Sequence, residues 1–259
     1  MSAPAYPAPL GMLKGKTVVV TAAAGTGIGF AVAKRAAEEG ARVLISDFHE
    51  RRLHNAADRI AAEVGGERPA TYVCDVTRQD QVDGLRDAAV ASLGHVDVLI
   101  NNAGLGGEAD VIDMTDEQWH RVLDVTLNSV FRMSRAFLPL MYARKSGAVV
   151  NNASVLGWRA QKGQAHYAAA KAGVMAFTRC SAVEAAEHNV RINAVAPSIA
   201  MHAFLAKVTT DDLLAELSAR EAFGRPAEVW EVANVMLFLA SDLSSYMTGE
   251  VVSVSSQRA

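Results

Sequence analysis

Cysteine is scarce: the 259-residue chain has two, Cys74 and Cys180, with no C-x-x-C pair and no zinc-type spacing. That argues against a disulfide framework or a thiolate-bound metal, and two buried thiols in a reducing cytoplasm are the expected state. Long apolar runs are also lacking, since none approaches the ~20 residues of a bilayer-spanning helix. Charge of one sign is lacking as well: 25 Lys+Arg stand against 28 Asp+Glu, for a net charge of −3. Without a basic stripe, neither nucleic acid nor an anionic membrane is an expected partner. The first ten residues have no basic start followed by an apolar core, so no secretory signal is read there. Pro4, Pro7 and Pro9 mark residues 1–12 as a flexible, surface-draped tail.

What is present is 51% hydrophobic residues, arranged as short β-branched runs alternating with Ala-rich helical stretches. Strands are predicted at Thr17–Val20, Arg42–Asp47, Thr71–Cys74, Val96–Ile100, Ala148–Asn151, Arg191–Val195 and Glu250–Val254. Helices are expected over Phe30–Glu39, where Gly40 is placed to stop the chain, over Arg51–Val64, and through Leu85 and Val90. Near-continuous apolar strands separated by helices imply a parallel sheet covered on both faces. Right-handed crossovers then give an α/β, Rossmann-like, doubly wound sheet of about seven strands. No repeat or linker follows the tail, so residues 13–259 are expected to be one domain.

The first strand leads into Thr21-Ala22-Ala23-Ala24-Gly25-Thr26-Gly27-Ile28-Gly29. Glycines there let the backbone approach a pyrophosphate, whose charge is favoured by the amides and dipole of the following helix. Asp47 ends the second strand, where a carboxylate accepts hydrogen bonds from both ribose hydroxyls and repels a 2′-phosphate. The expected cofactor is therefore NAD(H) rather than NADP(H). Arg51 and Arg52 are read as the solvated face of the next helix.

Tyr167 and Lys171 are four apart in a helical stretch and share a face. A free phenol, with a pKa of ~10, is a poor base near neutrality. A neighbouring ammonium and a positively charged nicotinamide both favour the phenolate, so Tyr167 can exchange a proton with a substrate oxygen. Ser154 follows the fifth strand, at the sheet's carboxyl edge, where its hydroxyl can hold that oxygen.

These motifs, with Asp75-Val76, Asn101-Asn102-Ala103-Gly104 and Pro197 in the same order, resemble the short-chain dehydrogenase/reductase family over the whole chain after the tail. The resemblance implies a catalytic set of Ser154, Tyr167 and Lys171. It implies a cofactor held by Thr21, Gly25, Thr26, Gly27, Ile28, Gly29, Asp47 and Phe48, with Asp75 and Val76 at the adenine. Asn102, Ala103 and Gly104, Tyr167 and Lys171, and the backbone at Pro197 and Ala200 complete that set. It also implies a cytoplasmic homotetramer.

Three positions depart from the family pattern. Thr126 stands where an asparagine with a catalytic role is usual, and Asn128, roughly 200° further round a helix, cannot replace it. Ala22 stands where the family has glycine, in a turn one residue longer than usual. After Pro197 the usual glycine is Ser198, and His202 replaces a threonine near the nicotinamide.

Residues 198–223 correspond to the variable substrate lid. Its apolar stripe is either core-facing or a pocket wall. Val155, Trp158, Arg159 and His202 are the candidate substrate contacts, with Arg159 and Lys162 read as either an anion contact or solvated charge. A bulky apolar alcohol or ketone, carried as a CoA thioester, fits this lining. The runs Ala22–Gly27 and Asn151–Ala160 resemble a subgroup of hydroxyacyl-CoA dehydrogenases from actinobacterial catabolism of the steroid C and D rings. The alternatives are an NADPH-dependent 3-oxoacyl thioester reductase and a non-catalytic NAD-binding regulatory protein. The latter commonly lacks the tyrosine or lysine that is present here. No metal is expected.

Overall fold

Four consecutive buried residues, Thr17–Val20, form the first strand, β1. Val18 and Val20 point into one apolar cluster and Val19 into another. That is the burial expected of a strand covered on both faces. The computed structural model describes residues 2–201 and 211–257. Its main sheet adds β2 (Arg42–Asp47), β3 (Ala70–Val73), β4 (Val98–Asn101), β5 (Gly147–Asn152), β6 (Val190–Pro197) and β9 (Val251–Val254). The order is β3-β2-β1-β4-β5-β6-β9, and every pairing is parallel.

On one face, α1 (Ile28–Glu38) and α8 (Val229–Ala240) pack together over Val18, Val20, Ile100 and Val195, with Leu53 and Ile60 of α2 (Glu50–Val64) alongside. The other face is covered by α3 (Gln79–Leu93), α5 (Ser129–Arg144) and α6 (Ala165–Ala186). A short helix, α4 (Asp116–Leu123), opens on a capping box between Thr115 and Gln118. It joins α5 through a π-helical turn, Asp124–Asn128. The expected doubly wound, single-domain sheet of seven strands is what the chain forms.

Strand ends differ from the reading of the sequence for tertiary reasons. Asp97 lies just outside β4 because its carboxylate accepts from the Thr17 amide at 2.9 Å and from Arg144 at 3.0 Å. β6 runs on to Pro197 because β9 pairs with it as far as Pro197↔Val254. A two-residue ladder, β7 (Ala200–Met201) with β8 (Ala227–Glu228), sits beyond the main sheet. Between these two strands the chain forms α7 (Asp211–Ala219). His202 lies outside the described residues.

Tail residues lie against α1. The Tyr6 hydroxyl donates to Glu38 at 2.7 Å, and the amides of Leu10 and Met12 donate to the buried Glu39 carboxylate. Of the two cysteines expected to be buried, Cys74 is, but Cys180 lies on the outer side of α6 and is exposed. Among the described residues no helix is long and apolar enough to cross a membrane, and no cluster of His, Cys, Asp and Glu could hold a metal ion.

The direction in which the chain adds strands reverses at β1, which has β2 on one side and β4 on the other. A crevice opens outside the carboxyl ends of strands at such a switch point. The Gly-rich turn, Asn101–Gly104 and Ser154 all leave the sheet along this edge.

Candidate active site

Thr21, the first residue after β1, ties the turn to the β4 end. Its Oγ1 donates to the Ile100 carbonyl at 3.3 Å and accepts from the amides of Asn102 at 3.0 Å and Ala103 at 3.2 Å. The Asn102 side-chain Nδ2 donates to the carbonyls of both Thr21 and Ala22, each at 3.1 Å. Ala22 has a φ of +51°, a left-handed conformation that glycine adopts without penalty and alanine does not. A Cβ added at Gly29 would stand 2.4 Å from the Ala22 carbonyl oxygen, so only glycine fits where the helix crosses the turn.

Gly27 caps α1 with no side-chain acceptor, and the helix has no acidic residue in its first turn. Its leading amides are therefore free for an anion. Asp47 is buried beside this turn and accepts from the amides of Ala24 at 3.2 Å and His49 at 3.0 Å. Burial raises its pKa, opposed by the Ala24 amide, the charge of Arg52 and the Phe48 amide. Each carboxylate oxygen accepts one amide and has lone-pair capacity to spare, which fits it to hydroxyl donors. Phe48 is exposed and lies 3.8 Å, centroid to centroid, from the His49 ring. At the end of β3 the Asp75 carboxylate accepts from the Thr77 amide and hydroxyl through Oδ1, and Val76 is buried. The turn, the uncapped helix and Asp47 together suit a dinucleotide.

Ser154 has extended backbone just before a 3₁₀ turn, Val155–Gly157, and its Oγ accepts from the Leu156 amide at 3.2 Å. Tyr167 faces the same cavity as Ser154, and desolvation pushes its pKa up to about 12 against a smaller lowering by Ser154, so burial outweighs the lowering expected from Lys171. Lys171, one helical turn along α6, has Nζ 5.5 Å from the Tyr167 ring centroid and donates to the Asn152 main-chain carbonyl. It is 2% exposed, and burial pulls its pKa down to about 7. A Cβ on Gly104 would lie 3.3 Å from this ammonium, so the loop after β4 packs directly on it.

Thr126 is fully buried within the π-helical turn. Its hydroxyl donates to the Leu105 carbonyl at 3.1 Å and accepts from the Leu105 amide at 3.0 Å. The side chain thus fastens the loop over Lys171 and has no reach to spare for a substrate. Asn128 turns away and donates to Asp124 at 3.0 Å.

A cavity of about 290 Å³ opens over this group, lined by Ser154, Tyr167, Val155, Arg159, Pro197 and Ala200. Trp158 is half exposed and not part of that wall. Leu217, Arg220 and Gln257 complete it from the far end of the chain. Gln257 accepts from Arg159. Leu217 and Arg220 lie within the segment 198–223 expected to form the lid, whereas Gln257 carried no signal in the sequence and only the fold brings it to the site. Asn152 also lines the cavity; its signal in the sequence was the doublet Asn151-Asn152, which repeats Asn101-Asn102 in the neighbouring strand.

A family model described as Enoyl-(Acyl carrier protein) reductase matches residues 22–256. A Mycobacterium tuberculosis protein named (5R,7aS)-5-hydroxy-7a-methyl-1-oxo-2,3,5,6,7,7a-hexahydro-1H-indene-carboxyl-CoA reductase is 63% identical over 248 residues, covering 95% of this chain and 94% of its own. A 3-oxoacyl-(acyl-carrier-protein) reductase of Thermotoga maritima is 38% identical over 242 residues, covering 93% and 97%. Among solved structures, a short chain dehydrogenase from Mycobacterium smegmatis superposes with a TM-score of 0.89 at 58% identity, covering 100% of this chain and 99% of that one.

Proposed function

This chain belongs to the short-chain dehydrogenase/reductase family of oxidoreductases, and from that premise we propose that it uses NAD(H) to interconvert a secondary alcohol and a ketone on a bulky, apolar, CoA-linked substrate. The observation that carries the reading is that Ser154 and Tyr167 face one cavity, with Lys171 buried one helical turn beyond Tyr167. A bound nicotinamide dinucleotide supplies the hydride chemistry.

Tyr167 handles the proton. With its pKa pushed up to about 12 it is a phenol at neutral pH, suited to protonating a ketone oxygen that Ser154 holds by a hydrogen bond. The opposite direction requires the phenolate and is favoured as pH rises. Lys171, buried against the Asn152 carbonyl, keeps a cationic donor below the ring whenever it is protonated.

The cofactor contacts proposed are Thr21, Gly25, Thr26, Gly27, Ile28, Gly29, Asp47 and Phe48, with Asp75, Val76, Asn102, Ala103, Gly104, Pro197 and Ala200. Asp47 supports NAD(H), because a 2′-phosphate beside a buried carboxylate is repelled. Val155, Ile199 and Leu217 offer apolar wall to a fused-ring substrate, and Arg159 and Arg220 on the same cavity suit an anionic tail. The name of the Mycobacterium tuberculosis relative supports a ring-bearing acyl-CoA and the reductive direction. The same reading assigns a cytoplasmic homotetramer, for which Phe131 on α5 and Val183 on α6 supply exposed apolar surface.

Fluorescence titration with NADH and NADPH tests this. NADH is expected to bind more tightly, and Asp47→Ala to narrow the difference. Tighter NADPH binding reassigns Arg51 or Arg52 to the phosphate and favours 3-oxoacyl thioester reduction. Binding of neither overturns the reading.

A further inference from the structure

We propose that Asn152 is a positioning residue that joins the dinucleotide-binding turn to the active-site lysine. The link is a continuous run of hydrogen bonds. Asn102 Nδ2 donates to the carbonyls of Thr21 and Ala22. Those two acceptors fix which way the Asn102 amide faces, so its Oδ1 must point the other way. There it accepts from Asn152 Nδ2 at 3.0 Å. The main-chain carbonyl of Asn152 in turn accepts from Lys171 Nζ. One residue therefore holds the turn through its side chain and the lysine through its backbone.

The neighbouring pair shows the difference between this link and ordinary sheet packing. Asn101 and Asn151 are register partners in β4 and β5. Asn101 donates to Asn151 at 2.9 Å, and Asn151 donates to Thr178 on α6 at 2.9 Å. That ladder is buried and fastens the sheet to a helix. One residue further along each chain, Asn102 just past β4 and Asn152 at the end of β5 run instead to the turn and to Lys171. Asn152 Oδ1 is buried without a partner among the described residues. An apolar side chain would avoid that unfavourable arrangement, so the amide is there for what its nitrogen does.

Ala22 gives the link its consequence. Its left-handed backbone persists only where its surroundings hold it, and Asn102 grips its carbonyl. A turn that relaxes when the Asn102–Asn152 bond is lost presents its amides differently to a dinucleotide. The Asn152 peptide moves with it, and the acceptor that seats Lys171 shifts. Cofactor affinity and proton transfer are thus coupled through a side chain that takes part in neither.

The inference rests on the nicotinamide reading above. Its test compares the native protein with Asn152→Asp, which keeps the shape but cannot donate, and Asn152→Ala, with thermal melts confirming folding. NADH dissociation constants come from fluorescence titration, and kcat is taken at saturating NADH. Both variants are expected to bind NADH about tenfold more weakly and to lose about fivefold or more in kcat, with substrate KM within about twofold. Adding Asn102→Ala is expected to weaken binding no further than the worse single change, because both remove one link. Native affinity in both variants overturns the inference, as does weakened binding with an unchanged kcat. Failure of the native protein to bind either dinucleotide is the separate failure of the functional reading.

Discussion

The Thr126 hydroxyl holds Leu105 by both of its backbone groups, donating to the carbonyl at 3.1 Å and accepting from the amide at 3.0 Å. This residue stands where the family has an asparagine, and the structure gives it a task that a hydroxyl can perform. Thr126→Val keeps the shape and leaves two backbone groups unpaired. It is expected to cost about 2 kcal/mol, a fall of roughly 4–8 °C in Tm for a chain of this size. A several-fold loss of kcat is expected with it, because the loop it fastens packs on Lys171. Thr126→Ser is expected to retain most of both. Differential scanning calorimetry and steady-state kinetics on the two variants check this; equal behaviour of Val and Ser contradicts it.

Ala22, at a φ of +51°, makes an opposite prediction about stability. Glycine removes a left-handed penalty of about 1–2 kcal/mol while adding unfolded-state entropy worth about 0.4–1 kcal/mol. Ala22→Gly is therefore expected to gain about 0.5 kcal/mol. Ala22→Val, whose branched Cβ fits that conformation worse, is expected to lose stability. Urea midpoints of the two variants decide the matter.

Lys171 predicts a pH dependence of stability. Burial pulls its folded pKa down to about 7 from an ordinary 10.5. Between those values the unfolded chain holds a proton that the folded chain does not, so stability rises with pH, by at most about 1.4 kcal/mol per unit. Below about 7 both states are protonated, and above 10.5 neither is, so the slope vanishes at both ends. Tyr167 acts in the opposite sense, since the folded chain holds its proton up to about 12, but only above its ordinary value of 10. Urea midpoints from pH 6.5 to 9.5 are expected to climb in the native protein and to climb less in Lys171→Met.

The N-terminal tail predicts a loss confined to stability. Removing residues 2–8 deletes the Tyr6–Glu38 bond, the edge contact of Tyr6 with Trp230, and the Pro7 carbonyl that accepts from the buried Arg35. A cost of about 1–3 kcal/mol is expected. The tail lies along α1 and α8, away from the cavity, so the NADH dissociation constant is expected to stay within about twofold. Denaturation and titration of the truncated protein check the two halves of this statement.

How much of this was legible in the sequence follows from the range of each interaction. The sheet was legible because Val18, Val19 and Val20 must be buried on both faces wherever β1 lies. Ser154, Tyr167 and Lys171 were legible because a four-residue helical spacing and a strand end fix their relation locally. Strand ends were not, because Asp97 and Pro197 are decided by partners far away in sequence. The anchoring of the tail depends on Glu38, Glu39 and Trp230, which no local pattern announces. The π-helical turn and the clasp of Thr126 on Leu105 join segments 21 residues apart. Asn152 was visible as half of a doublet, but its use appears only when β4, β5, the turn and α6 meet.

The most direct measurement of the central claim is turnover of a fused-ring ketone acyl-CoA with NADH by the native protein and by Tyr167→Phe, alongside NADH binding to both. The account predicts that Phe, which keeps the ring and loses the proton, lowers kcat by roughly a thousandfold while NADH binds within about threefold of native. Substantial turnover by the Phe variant at unchanged NADH affinity would contradict the assignment of Tyr167 as the proton donor.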